Sequence, residues 1–248
     1  MNNAFSLNAA MDLYLKSQDQ KEQSPRFRAS DMGRCFRMRY YKKQGEKQLP
    51  LDPRSRRIFA VGNNVHALYQ AALEQIGVLV SKEEEINYRG ILFGHYDALV
   101  NPEGKDAPHN GGADLILYDI KTVNSGKFHQ NDKSKIPWSE IDTHYVKQIH
   151  AYCMILREQY PNLTDCRIYY VSKDDLDTRE VPVPYLPRRE EAVIKEIHEL
   201  IEIESGKIPP ATPKMEWECK FCPFRNICPT GKPIYEDQLR EVSRKKIL

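Results

Sequence analysis

No stretch of this 248-residue chain is apolar for long enough to cross a bilayer, so no membrane-spanning helix is expected. The opening MNNAFSLNAAMDLYLKSQDQ lacks the basic start and apolar block of a secretory leader, and the expectation is a cytoplasmic protein. Internal repeats and low-complexity tracts are also missing, which argues against a solenoid or a linker-dominated chain. Net charge is scarce: 37 Lys and Arg against 35 Asp and Glu leave +2. With 40% hydrophobic and 29% charged residues, wholesale disorder is excluded and one full core is affordable.

The small net charge conceals an uneven distribution. From Arg26 to Arg57 there are eight Arg and three Lys against Asp31, Glu46 and Asp52, a local +8 that leaves −6 elsewhere. Such a block suits a phosphate-bearing partner, although a solvated helical face accounts for it equally well.

Periodicity predicts helices first. A short helix and polar linker are expected within 1–25, and a helix from Ser30 through SDMGRCFRMRYYKKQG, capped by Ser30 or Asp31. Ile58, Phe59, Val65, Leu68, Tyr69, Ala72, Leu73 and Ile76 mark an amphipathic helix over 53–76, with Gly77 as its stop. The period then changes. Strands are expected at 83–89, 91–100 and 113–123, the last two as an antiparallel hairpin around the polar turn 101–112. A helix over 139–157, a strand over 166–172 and a helix over 188–205 complete the pattern, and a turn follows at Gly206. This order describes a mixed sheet with helices on it, an α/β (α+β) class.

Asp97 lies in GHYDALV, and Asp119 with Lys121 in YDIKTV. Residues two apart on a strand share a face, about 6.5 Å apart along it. Pairing of the two strands would bring Asp97 beside Asp119. Two carboxylates and an ammonium at one point suit a divalent cation and a phosphate. By itself, however, a D-x-K tripeptide is most often a surface pair. Gln148 and Tyr152, four apart on one helix face with Cβ atoms about 6 Å apart, suit a phosphate or a base. His66, on the helix before the sheet, could complete a metal shell, although a lone helical His is more often only packed or solvated.

There are six cysteines, and Cys219, Cys222 and Cys228 fall within ten residues. In a reducing compartment such clustering points to metal rather than disulfides. Cys153 and Cys166 sit among apolar residues and read as core. Cys35 remains as the fourth ligand. The spacing admits a structural zinc or an iron–sulfur cluster.

Taken together, His66, Gly94 to Asp97, Asp119 to Lys121 and Gln148 to Tyr152 resemble the RecB-like branch of the PD-(D/E)xK nucleases. Cys35 followed by CxxC-x5-C resembles the iron–sulfur nucleases, namely the AddB-type subunits and the fourth family of CRISPR-associated proteins. Cys35-Phe-Arg37-Met-Arg-Tyr40-Tyr41 is similar to the C-P-R-x-x-Y-Y stretch of that family, with Phe36 in place of Pro. Many CRISPR-associated members carry Glu where this chain has Asp119.

The resemblance, which covers about 28–232, implies a restriction-endonuclease-like mixed central sheet flanked by helices, with a C-terminal iron–sulfur segment packed on the N-terminal helices. It implies Mg²⁺ or Mn²⁺ on His66, Asp97, Asp119 and the Ile120 carbonyl, with Lys121 catalytic. Gln148 and Tyr152 would position DNA, with Arg37 tracking the backbone and Tyr40 and Tyr41 stacking on bases. A four-iron, four-sulfur cluster would sit on Cys35, Cys219, Cys222 and Cys228. The expected divisions are an extension at 1–27, a basic helical region at 28–77, a nuclease core at 78–205, a cysteine segment at 206–232 and a tail at 233–248, whose basic end is expected to touch DNA or a partner. The implied activity is exonucleolytic, on single-stranded DNA ends, in CRISPR adaptation, phage recombination or DNA repair. A structure-specific endonuclease shares the chemistry. The non-enzymatic alternative is an iron–sulfur DNA-binding module serving an integrase or helicase partner.

Overall fold

A computed structural model describes residues 6–18, 26–141, 143–203, 207–213 and 216–245. The expected turn at Gly206 and the basic end of the tail, whose side chains are described only to Glu241, lie outside the described residues. In chain order the elements are α1 (Leu7–Ser17), β1 (Phe27–Arg28), α2 (Phe36–Lys43), α3 (Pro53–Gln75), β2 (Leu79–Ser81), β3 (Glu85–Tyr88), β4 (Leu92–His95), β5 (Ala98–Val100) and β6 (Ile116–Val123). They continue with α4 (Ser125–Lys133), α5 (Trp138–Ile141), α6 (Thr143–Leu156), β7 (Asp165–Ser172), β8 (Thr178–Pro182), α7 (Pro187–Ile203), α8 (Glu216–Lys220) and α9 (Lys232–Lys245).

The strands form two sheets. One has five strands in the order β2-β5-β6-β7-β8, and β6 and β7 are its only parallel pair. The other has three, in the order β1-β4-β3. A parallel pair needs a long crossover, and α4, α5 and α6 supply it. α6 is buried without interruption from Gln148 to Leu156 and packs against both sheets and α7. It is therefore a central helix rather than one with a solvated face.

α3 begins as its sequence dictates: Asp52 accepts the Ser55 N–H at 2.9 Å and Pro53 opens the first turn. Gly77, at φ +79°, takes the left-handed position after its end. Its apolar stripe is not core, however. Phe59 and Leu68 are exposed, and α1 covers only part of the helix.

Two expectations are corrected. The helix expected from Ser30 starts only at Phe36. Ala29–Asp31 is a single 3-10 turn, and Gly33, at φ +76°, breaks the chain before α2. The strand expected over 91–100 is two strands in different sheets. β4 joins the three-stranded sheet and β5 the five-stranded one, and the chain changes sheet at Tyr96 and Asp97. Hydrophobic alternation does not reveal which partner a strand will choose. β1, β2, β8, α4, α8 and α9 are further elements that periodicity did not indicate.

The basic block is also divided. Arg39 is buried and its Nη1 lies 2.7 Å from Glu196 Oε1 on α7. Lys147 of α6 pairs with the other Glu196 oxygen, and the Gly33 N–H donates to Glu196 at 2.5 Å. Lys42 is held by Asp31 at 2.8 Å. These bonds lock the N-terminal segment onto α6 and α7. Removing one member of a buried pair strands the other charge, so Arg39→Ala is expected to cost about 3–5 kcal/mol. Urea unfolding checks this, and a loss below about 1 kcal/mol would show that the pair behaves as a surface contact.

Candidate active site

The change of sheet builds the site. Ala98 pairs with Tyr118 in register, so Asp97 stands just beyond the ladder, opposite Asp119. Its Oδ2 accepts the Ile120 N–H at 2.5 Å, substituting for the next ladder bond. A strand residue directs its N–H and C=O to the same edge, so the Ile120 carbonyl faces this side as well. Both acids are buried, Asp97 at 8% and Asp119 at 1% exposure.

Around them the side chains interlock. Lys121 Nζ lies 2.6 Å from Asp119 Oδ2 and 5.1 Å from the Tyr145 ring centre. Gln148 Nε2 donates to Asp119 Oδ1 and to the Tyr152 hydroxyl, both at 3.0 Å. His66 Nδ1 is 3.4 Å from Asp97 Oδ1. Gly94 is where Tyr152 passes close to the backbone: a Cβ there would lie 2.9 Å from Tyr152 Cε1. The G-x-x-D spacing thus has a steric reason.

Asp119 Oδ2 is buried, and the Lys121 ammonium is the group that meets it, at 2.6 Å. Burial pushes the Asp119 carboxyl up to about 6, against the pull of Lys121 and with the charge of Asp97 adding to the rise. Burial would lower His66, but the hydrogen bond and charge of Asp97 outweigh it and His66 is raised. Lys121 is raised because Asp119 and Asp97 outweigh its desolvation. This is an electron-rich, poorly solvated pocket that a cation would relieve, and its donor set of carboxylates and one imidazole fits Mg²⁺ or Mn²⁺.

A cleft of about 370 Å³ opens over these groups, lined also by Arg26, Arg28, Ser30, Phe93 and His95. Arg26 stacks on Phe93 at 4.2 Å and Arg28 faces the same opening. Sequence reasoning missed these two arginines as cleft residues; only their place in the basic block signalled them. Glu83 was missed altogether, although its carboxylate, His66 and Asp97 have ligand atoms within 4.8 Å of one another. Arg37 and Tyr40 do not line this cleft. Arg37 Nε donates to the Pro209 carbonyl at 2.8 Å and its Nη1 lies 3.8 Å from Cys228 Sγ, while Tyr40 packs beside Tyr41.

Away from the cleft, Cys35, Cys219, Cys222 and Cys228 line one cavity of about 100 Å³ with Arg34, Met38 and Trp217. The Thr212 N–H points at Cys35 Sγ at 3.4 Å. Tyr41 and Phe224 pack against Cys228 in a small separate core. Burial pushes the Cys222 thiol up to about 11, with the neighbouring thiols adding to the rise. Cys153 and Cys166 are fully buried in the main core, as expected.

A family model described as the PD-(D/E)XK nuclease superfamily matches residues 91–229. No curated protein matches the chain significantly. Among solved structures, SSO0001 is similar with a TM-score of 0.53 at 19% identity, over 91% of this chain and 97% of that one. A putative exonuclease from Eubacterium rectale has a TM-score of 0.50 at 10% identity, over 94% and 93%. LHK-Exo, in complex with dAMP, has a TM-score of 0.46 at 15% identity, over 74% and 90%. At these identities the first two show a shared fold.

The titrations give a stability test. Asp119 binds its proton more tightly folded than unfolded, so in chelator stability is highest below about pH 4 as far as this group goes, and falls as pH rises through about 6. His66, also raised, extends the loss above its ordinary range. Asp119→Asn is expected to flatten this slope. Calorimetric melting from pH 5 to 8 in chelator checks it, and an unchanged slope would place the titration elsewhere.

Proposed function

This chain belongs to the PD-(D/E)XK nuclease superfamily, and from that premise we propose that it hydrolyses the phosphodiester bonds of DNA from an end, preferring single strands, with Mg²⁺ or Mn²⁺. The observation that carries the proposal is the convergence of Asp97, Asp119 and Lys121 at the floor of one cleft. Asp97, Asp119, His66 and the Ile120 carbonyl would hold the cation. When bound, it supplies positive charge to the phosphate oxygens and makes water acidic enough to attack at neutral pH.

The chain's own groups do the rest. Lys121, held by Asp119 and beneath Tyr145, directs its ammonium at the developing charge on the phosphate. Gln148 fixes Asp119 and Tyr152 in one geometry, and Gln148 and Tyr152 line the cleft where a strand would lie. Arg26 and Arg28 at the rim suit the sugar–phosphate backbone. Arg37 and Tyr40 would act on DNA only indirectly, by shaping the cysteine cavity.

The four cysteines would carry a four-iron, four-sulfur cluster. The cavity exceeds what one ion needs by several fold. A cluster spreads its thiolates over several irons. It would tie α2 to the C-terminal segment and constrain the unfolded chain.

Asp119→Asn and Lys121→Met are expected to slow release of nucleotides from end-labelled single strands by about 10²–10⁴-fold, with circular dichroism unchanged. Either variant matching the parent would remove its assigned role. Closed circular DNA should resist the parent, and its cleavage would replace the exonuclease reading by an endonuclease one. Protein purified without oxygen should be brown and carry about four irons per chain, lost in Cys35→Ala and Cys222→Ala. Stoichiometric zinc in place of iron would overturn the cluster.

A further inference from the structure

We propose that Glu83 is a further acid of the catalytic centre, supplying a carboxylate to the divalent cation from the side of His66 and Asp97. This rests on the metal-dependent reading above. Ligand atoms of Glu83, His66 and Asp97 all lie within 4.8 Å of one another, so one ion can touch the three. Asp119, buried nearby, has Lys121 Nζ on its Oδ2 at 2.6 Å.

The placement of Glu83 is deliberate in physical terms. Gln70, buried on α3, donates from one amide nitrogen to Glu83 Oε1 and to the Asp97 carbonyl, each at 2.8 Å. The Glu83 N–H is tied to the Tyr96 carbonyl at 3.0 Å, immediately before Asp97. The same few atoms therefore position both acids. Glu83 also has a φ of +51°, in the left-handed region that favours glycine. A non-glycine residue there is strained, and its exposed side chain packs no core. Nothing in the packing of the fold requires a glutamate, whereas a cation beside His66 and Asp97 does. With an imidazole among the donors, Mn²⁺ should be held more tightly than Mg²⁺.

The strain makes a clean test possible. Glu83→Gly removes the carboxylate and suits the backbone better than the natural residue, so folding is preserved. Mn²⁺ binding to the full-length protein would be followed by titration calorimetry and by electron paramagnetic resonance of free Mn²⁺. The variant should melt in chelator at or above the parent's Tm, yet bind Mn²⁺ at least tenfold more weakly and show a smaller Tm gain with Mn²⁺. Gln70→Leu should weaken binding by a lesser factor while leaving Glu83 in place. If Glu83→Gly binds Mn²⁺ within threefold of the parent, Glu83 is not a ligand. If it melts well below the parent in chelator, its role is structural and the proposal fails. Should the parent itself bind no Mn²⁺, the metal-dependent reading falls instead.

Discussion

The Asp97 carboxylate accepting the Ile120 N–H ties the link between the two sheets to β6, at the point where the chain leaves one sheet for the other. The backbone there has lost its ladder partner, and a buried N–H without an acceptor is costly. One side-chain oxygen satisfies it, and the second is left facing His66. That division fixes where the first acid sits relative to Asp119 and Lys121. It also directs the Ile120 carbonyl toward the same opening. If the sheet did not change partner at this residue, the acids would be carried on one flat ladder with no cleft above them.

Burial then gives the site its character. Asp119 lies beneath α6, where Gln148 and Lys121 are its only strong partners. Desolvation raises the proton affinity of Asp119, the charge of Asp97 adds to it, and Lys121 does not offset the two. The fold tolerates an unfavourable electrostatic arrangement where a divalent cation would relieve it. The left-handed Glu83 nearby is a second local cost at the same place. Such costs persist because the surrounding packing over-determines them: α6 is buried along most of its length, and the Arg39–Glu196–Lys147 network clamps it to the N-terminal segment.

The cysteine cavity belongs to a different part of the molecule. It has its own small core of Tyr41, Phe224 and Cys228, separate from the main one. Residues far apart in sequence meet there, as Phe36 N–H with Thr212 Oγ1 at 3.1 Å and Leu49 N–H with the Pro223 carbonyl at 2.8 Å. So small a core is a weak fastening on its own, which is why a metal centre at the four thiols would matter for holding the two ends of the chain together.

The sequence by itself determined the elements whose signal is local. α3 was legible from its apolar spacing and Gly77, α7 from its apolar stripe, and β6 and β7 from their runs of branched and aromatic residues. It also made the candidate site residues Asp119 and Lys121, and Gln148 and Tyr152, legible as pairs, because strand and helix periods place each pair on a shared face. Only the tertiary structure decided what depends on partners. It split 91–100 between two sheets, buried Arg39 beside Glu196 and drew Arg37 to the cysteines, while Arg26 and Arg28 came to the cleft and Glu83 to His66 and Asp97. The physical reason is range. Caps and periodicity act over a few residues, whereas the fate of a charge is set by whichever distant group folding brings to within about 3 Å.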